Sequence, residues 1–89
     1  MTIRYVRHPD LLLTAFEDEG IVMHLTTRRY FTVTPGGVAV LELIDEPRTL
    51  EEIVTVLTSR YEVSAEVAAQ TTREFLEAGC RDGLVVETP

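Results

Sequence analysis

The spacing of apolar residues in this chain changes once, at the segment Thr34-Pro35-Gly36-Gly37. Before this segment, short apolar runs separated by turn residues are typical of β-strands. After it, apolar residues recur every three or four positions, which is the spacing of amphipathic helices. The sequence therefore predicts an α+β fold in which a three-stranded antiparallel sheet is followed by three helices.

Three strands are predicted between residues 11 and 34. The apolar runs 11–16 and 21–25 flank a polar turn at 17–20, so we expect them to form a hairpin. The third strand, 29–33, is rich in aromatic and β-branched residues and would pair next in meander order. Pro9 separates these strands from a short N-terminal arm, because proline donates no backbone hydrogen bond.

Each predicted helix follows a hydroxyl residue that can cap it. Thr34 precedes a proline at the first helical position, Thr49 and Glu52 have the spacing of a capping box, and Ser64 begins the longest helix. Residues 84–86 are expected to form an extended tail. The helices should form a helix-turn-helix-like cluster beside the sheet. Their predicted ranges are 35–45, 49–60 and 64–80.

The charge of the chain is acidic, with fifteen Asp and Glu residues against eight bases and a formal net charge of −7. All eight bases are arginine. Polyanions bind proteins through Lys and Arg, so this balance disfavours nucleic acid and anionic membranes as partners. The predicted third helix would be the recognition helix of a DNA-binding protein, yet it carries more acids than arginines between Ser64 and Asp82. A transcription regulator is therefore the least favoured functional class.

Cysteine usage and hydropathy indicate a cellular compartment. Cys80 is the sole cysteine, so the chain forms no intramolecular disulfide, which favours a reducing environment. No apolar run approaches 18 residues, and the N-terminus lacks the apolar region of a secretory signal. We expect the protein to be cytoplasmic.

Residues that could support catalysis are few. His8 lies in the N-terminal arm, and His24 lies within a predicted strand, where a surface or half-buried position is expected. Neither has a metal-ligand spacing, and no histidine lies near Cys80 in the sequence to activate its thiol. Pro35-Gly36-Gly37 lacks the lysine that completes a phosphate-binding loop. The pattern favours a noncatalytic binding module that uses no cofactor and no metal.

The strand 29–33 is the most informative segment for binding. As the last strand of a meander it would lie at a sheet edge unless the C-terminal tail covers it, and an open edge can accept an added peptide strand. A groove between this strand and the third helix would have Tyr30 and Thr32, or Phe31 and Val33, as its floor. Its wall would be Val67, Thr71, Phe75 and Ala78, with Glu74 and Glu77 at the rim. Alternatively, the side chains of this strand belong to the core. This is the favoured interpretation for Phe31 and Val33.

An ordered set of segments covers nearly the whole chain and resembles the PqqD family. It begins with Pro9-x-Leu11 and Gly20-Ile21-Val22-Met23-His24-Leu25 and includes Arg29-Tyr30-Phe31, Thr34-Pro35-Gly36-Gly37, Arg48-Thr49-Leu50-Glu51-Glu52-Ile53, and Phe75-Leu76 before Gly83-Leu84-Val85. The resemblance implies a single winged helix-turn-helix-like domain, residues 1–89, that recognises precursors of ribosomally synthesised, modified peptides. Such recognition elements are not enzymes. They bind the leader segment of a precursor and present it to modifying enzymes.

The resemblance also implies where the leader binds. In the family the leader adds as a strand beside the third strand and packs against the third helix. By position in this sequence, the contacts fall on Arg29, Tyr30, Phe31, Thr32, Val33, Val67, Thr71, Glu74, Phe75 and Ala78.

Two pathways are compatible with the resemblance. The chain is most similar to the stand-alone leader-binding proteins of lasso-peptide biosynthesis, which work beside a leader protease and a macrolactam-forming cyclase. The alternative is a PqqD-type chaperone that holds a precursor for a radical-SAM enzyme in quinone-cofactor biosynthesis.

Overall fold

A computed structural model describes residues 2–16 and 19–89. Five strands and three helices follow one another along these residues. They are β1 (Arg4–Arg7), β2 (Leu11–Ala15), β3 (Gly20–His24), β4 (Arg29–Val33), α1 (Pro35–Leu43), α2 (Leu50–Arg60), α3 (Ala65–Arg81) and β5 (Val85–Thr88).

The predicted meander is present as a three-stranded antiparallel sheet in the order β2-β3-β4. One register runs across all three strands, since Leu13 pairs with Val22 and Val22 with Phe31. The predicted turn at 17–20 includes Glu17 and Asp18, which lie outside the described residues. Together with the three helices, this sheet confirms the predicted α+β class.

A second sheet has two strands and was not predicted. The N-terminal arm forms β1, which pairs antiparallel with the C-terminal β5 from Arg4↔Thr88 to Arg7↔Val85. This sheet packs on α3 through Gly79, where a Cβ atom would lie 2.6 Å from Cγ2 of Val85. Glycine at this helical position therefore lets the C-terminal strand approach the helix closely.

Local signals define the helix starts as expected. The Thr34 hydroxyl accepts a hydrogen bond from the Gly37 amide, and Ser64 accepts one from the amide three residues on. Thr49 and Glu52 complete a reciprocal capping box. The first helix ends at Leu43, two residues before the predicted end, and Arg48 donates to the carbonyl of Leu43 there.

The core lies between the β2-β3-β4 sheet and the helices. Val22 and Val33 from the sheet are buried with apolar residues of all three helices, among them Leu41, Ile53 and Leu76. The core also contains His24, for which the sequence predicted a surface or half-buried position.

His24 is 5% exposed and accepts a hydrogen bond at Nδ1 from the Thr27 amide, 3.4 Å away. The centroid of the His8 ring lies 4.5 Å from the centroid of the His24 ring. The buried position follows from strand phase, because His24 shares the inward-facing side of β3 with Gly20 and Val22, which are also buried.

Candidate functional site

The strand β4 forms an edge of its sheet. Among the described residues, β3 is its sole partner in the strand order, and the C-terminal segment that could have covered it pairs with β1 instead. An edge strand presents one side of its backbone amide and carbonyl groups without ladder partners. In the described part of the chain, β4 is therefore available for an added strand.

Side chains of β4 alternate between the core and the solvent. Val33 is 8% exposed and Phe31 is half-buried against the core, which agrees with the core interpretation of both residues. Tyr30 is 68% exposed, and Thr32 faces the same side. Arg29 is exposed, with its guanidinium carbon 5.5 Å from the centre of the Phe31 ring.

A cleft of about 390 Å³ opens where β4 ends and α1 begins. Its walls are the first turn of α1, the end of α2 with the loop that follows, and one side of α3. Those lining residues that the structure describes are mostly apolar, and none of them carries a carboxylate, guanidinium, imidazole or thiol. They are Thr34, Pro35, Gly36, Gly37, Val40, Leu57, Tyr61, Val63, Ala68, Thr71, Thr72 and Phe75.

Two of the five predicted helix residues line this cleft, namely Thr71 and Phe75. Val67 lies one turn before Thr71 on the same side of α3 and is 55% exposed, outside the lining. Glu74 is exposed, and its Oε1 accepts a hydrogen bond from the side-chain Nε2 of Gln70 at 3.2 Å. Ala78 is half-buried further along the helix, also outside the lining.

Sequence reasoning missed most of the cleft, in particular the first turn of α1 and the α2–α3 connection. A signal was present in Gly36 and Gly37, because two residues without side chains at a helix start leave the backbone open to a neighbour. Tyr61 was a second signal in the sequence, because it is an aromatic residue in the predicted connection between two helices. In the structure Tyr61 is 51% exposed.

The chemistry of the cleft is that of binding through apolar contact. Within residues 2–16 and 19–89, no cluster of three or more His, Cys, Asp or Glu side chains could hold a metal ion. Over the same residues, no helix has the length and apolarity needed to cross a membrane.

In a comparison with known protein families, residues 19–85 match the family of coenzyme PQQ synthesis protein D (PqqD). The chain belongs to the PqqD family. The match extends from the residue before β3 to the first residue of β5, so it includes the open edge and every wall of the cleft. A comparison with curated protein sequences found no match.

Three solved structures share the fold of this PqqD-family chain. TbiB1 in complex with the TbiA(beta) leader peptide is 26% identical, with a TM-score of 0.77 over 90% of this chain and 93% of TbiB1. Lasso peptide synthetase B1 complexed with the leader peptide is 12% identical, with a TM-score of 0.76 over 92% of this chain and 96% of that one.

The third structure is the PqqD truncation of Methylobacterium extorquens PqqCD, a stand-alone RiPP recognition element. It is 18% identical, with a TM-score of 0.78 over 93% of this chain and 88% of that one. These structures and the family match confirm the resemblance to PqqD-like recognition elements and the fold class.

Proposed function

We propose that this protein binds the leader segment of a ribosomally synthesised precursor peptide by adding it as a strand to β4. The observation that carries the proposal is the open edge at Arg29–Val33 beside an apolar cleft. A main-chain ladder supplies affinity with little dependence on leader sequence, while a pocket for a side chain supplies specificity. The binding of leader peptides by TbiB1 and lasso peptide synthetase B1, which share the fold, supports this assignment.

The proposed contacts divide into two groups with different roles. Along β4, Arg29, Tyr30, Phe31, Thr32 and Val33 provide the ladder. On α3, Thr71 and Phe75 provide one wall of the cleft, into which a hydrophobic leader side chain would insert. Val67, Glu74 and Ala78 lie on α3 outside the cleft and would contact the leader beyond this anchor.

Binding of the leader would serve to deliver the precursor to a processing enzyme. We infer that the protein is a noncatalytic cytoplasmic adaptor, one domain over residues 1–89, which hands the precursor to a leader protease in lasso-peptide maturation. A separate cyclase would act on the released core peptide. Binding the protease and the leader to one small domain raises the local substrate concentration, so that cleavage becomes effectively intramolecular.

Amide hydrogen exchange measured by NMR tests strand addition directly. The isotope-labelled chain is titrated with a synthetic precursor leader peptide. We expect alternate amides of β4 to become protected, because only every second residue of a strand points its N–H toward a given edge. The matched control is β2, the other edge of the same sheet, whose amides should not change. Binding without protection in β4, or with protection in β2, would overturn the proposed mode.

A second candidate function is supported by the family match, because the family is named after a protein of coenzyme PQQ synthesis. In this alternative the same edge holds a precursor for a radical-SAM enzyme of quinone-cofactor biosynthesis. Affinity purification of the leader-bound chain with each purified candidate enzyme distinguishes the two pathways. Retention of the protease supports lasso-peptide maturation, and retention of the radical-SAM enzyme supports the alternative.

A further inference from the structure

Two adjacent arginines stand at the start of β4, in a chain that is otherwise acidic. Arg28 and Arg29 are the only neighbouring pair of basic residues in the sequence, and no Asp or Glu occurs between Glu19 and Glu42. Residues 20–41 therefore contain two arginines and no acid, although the whole chain has a formal net charge of −7. Both arginines are exposed. The strand that forms the open edge thus begins with a local concentration of positive charge.

The side chain of Arg29 lies on the helix-facing side of the sheet, which is also the side of the cleft. Alternation along β4 places Arg29, Phe31 and Val33 on this face, and the guanidinium carbon of Arg29 is 5.5 Å from the centre of the Phe31 ring. Arg29 and Val33 are four residues apart, about 13 Å at about 3.3 Å per residue. The cleft opens beyond Val33, where Thr34 is the first lining residue. One face of the edge therefore has a basic end and an apolar end.

The backbone of Arg28 is in a conformation that a side chain disfavours. Its φ is 62°, and within the described part of the chain it is the one residue other than glycine with a positive φ. Glycine adopts this left-handed conformation without a steric penalty. An arginine that persists there, at the start of an open edge, indicates that its side chain has a role at that edge.

An acid of the chain itself lies at the same end of the sheet but at the opposite edge. Asp10 precedes β2, and its carboxylate accepts a hydrogen bond from the Thr26 hydroxyl at 2.5 Å. A strand added to β4 would lie on the other side, one strand spacing or about 4.8 Å from Arg29. Opposite charges that face each other across neighbouring strands attract, and like charges repel. The added strand therefore gains affinity from a carboxylate beside Arg29.

The direction of the added strand sets the order of its side chains. Both strand pairs of the β2-β3-β4 sheet are antiparallel. A leader that continues this pattern runs from Val33 towards Arg29, so the side chain in the cleft precedes the side chain beside Arg29. Because successive side chains of a strand alternate between faces, the two positions are separated by an even number of residues.

We propose that Arg28 and Arg29 select leader peptides with acidic side chains four or six residues after the apolar anchor; this inference rests on the proposed function. The anchor occupies the cleft, and the carboxylates pair with Arg29 on the same face and with Arg28 in the adjoining turn. A basic side chain at these positions is repelled, so the pair also excludes unsuitable peptides. The main-chain ladder discriminates little between sequences, and the arginines add a charge requirement to it.

The test uses four synthetic peptides of equal length, each with one leucine as the anchor among serine and threonine. The first has glutamates four and six residues after the leucine, and the second has them three and five residues after it. Glutamine replaces both glutamates of the first peptide in the third, and lysine replaces them in the fourth. Each peptide is titrated into the isotope-labelled chain, and the NMR shifts of the β4 amides give its Kd at low and at high salt.

For the wild-type chain we expect the first peptide to bind at least about threefold more tightly than the second and third, and at least about tenfold more tightly than the fourth. Salt should weaken the first peptide and leave the glutamine peptide unchanged, because screening acts on charges. Equal affinities for the first and third peptides would overturn the proposal, whereas the β4 shifts would leave the proposed function standing. Equal affinities for the first and second would overturn the assigned spacing.

Chain variants assign the effect to the two arginines. Arg29→Gln and Arg28→Gly should each weaken the first peptide at least about threefold and leave the glutamine peptide within about twofold. Arg28→Gly should also raise the midpoint of urea unfolding, because glycine relieves the backbone. Arg73→Gln is the matched control, since it removes the same charge from α3 two residues from both Thr71 and Phe75, away from their side of the helix. It should change neither affinity.

A chain with both Arg28→Glu and Arg29→Glu should prefer the lysine peptide, an inversion that a purely structural role of the arginines would not produce. An unchanged preference in this chain, or an equal loss of affinity in Arg73→Gln, would overturn the proposal. Absence of β4 shifts with all four peptides would overturn the proposed function together with this inference.

Discussion

The ring of Phe75 occupies the space beside Gly37 where any other residue would place its side chain. A Cβ atom at position 37 would lie 2.7 Å from Cε1 of Phe75. This close approach brings α3 against the first turn of α1 and forms one end of the cleft. Because the two residues are 38 positions apart in the sequence, their contact determines how closely α1 and α3 pack against each other.

Gly37→Ala should lower the free energy of unfolding by about 1–3 kcal/mol, because the added methyl group overpacks the contact with Phe75. Urea denaturation followed by circular dichroism measures the change. Gly36→Ala is the matched control, since a Cβ atom there meets only the Thr34 hydroxyl, at 3.9 Å. Its stability should be unchanged or raised by up to about 1 kcal/mol. Equal effects at both positions would contradict the assigned role of Phe75.

Features coded by residues close together in sequence were predictable. Thr34, Thr49 and Ser64 cap the three helices as expected, because each capping hydrogen bond joins residues three apart. The meander was predictable for the same reason, since each of its strands pairs with the next along the chain.

Features that depend on distant segments were not predictable. The pairing of β1 with β5 joins four-residue segments at opposite ends of the chain, and neither segment has an alternation long enough to indicate a strand by itself. The cleft likewise depends on where α1, α2 and the side of α3 with Thr71 and Phe75 meet. The helical spacing of Val67, Thr71 and Phe75 indicated a shared side of α3, but it could not show where along α3 the cleft ends.

Glu52 should make stability depend on pH in the acidic range. Its Oε1 accepts a hydrogen bond from the Thr49 amide at 2.8 Å, and this bond is the main reason why the pKa of Glu52 lies below its ordinary value of 4.5. A carboxyl whose pKa is lower in the folded state stabilises the fold above its unfolded pKa. That contribution is lost as the pH falls through the folded pKa.

The stability difference between the wild type and Glu52→Gln should therefore be constant near neutral pH and shrink below about pH 4.5. Urea denaturation across this range measures it. A difference that grows on acidification would contradict the sign derived from the capping box.

Cys80 should react slowly with thiol reagents in the folded protein. Burial raises the pKa of this half-buried thiol above its ordinary value of 9.0, and the negative charge of Glu87 raises it further. Because the thiolate is the reactive form, alkylation by iodoacetamide near neutral pH should be slower than in the urea-unfolded chain. Glu87→Gln should accelerate it in the folded state. A folded wild type that reacts as fast as the unfolded chain would contradict this description of Cys80.

Tyr30 should contribute to leader binding without contributing much to stability. It is 68% exposed on β4, so Tyr30→Ala removes little buried area but deletes an aromatic side chain next to the proposed ladder. If Tyr30 is a hot spot, leader affinity measured by calorimetry should fall by about 1–3 kcal/mol. Phe75→Ala should weaken affinity by a similar amount and should also reduce stability, because Phe75 packs against the core. Unchanged affinity in both folded variants would contradict the proposed leader contacts on β4 and in the cleft.

Filling the cleft should block the leader anchor while leaving the sheet edge intact. Thr71 is an exposed residue that lines the cleft, so Thr71→Phe places a ring where the leader side chain would insert. Gln70→Phe introduces the same ring one residue earlier on α3, outside the lining, and serves as the matched control. We expect Thr71→Phe to weaken leader binding at least tenfold, about 1.4 kcal/mol, and Gln70→Phe to change it less than twofold. Calorimetry with the synthetic leader measures both. Equal affinities would mean that the ladder along β4 alone holds the peptide and that the cleft takes no part in binding.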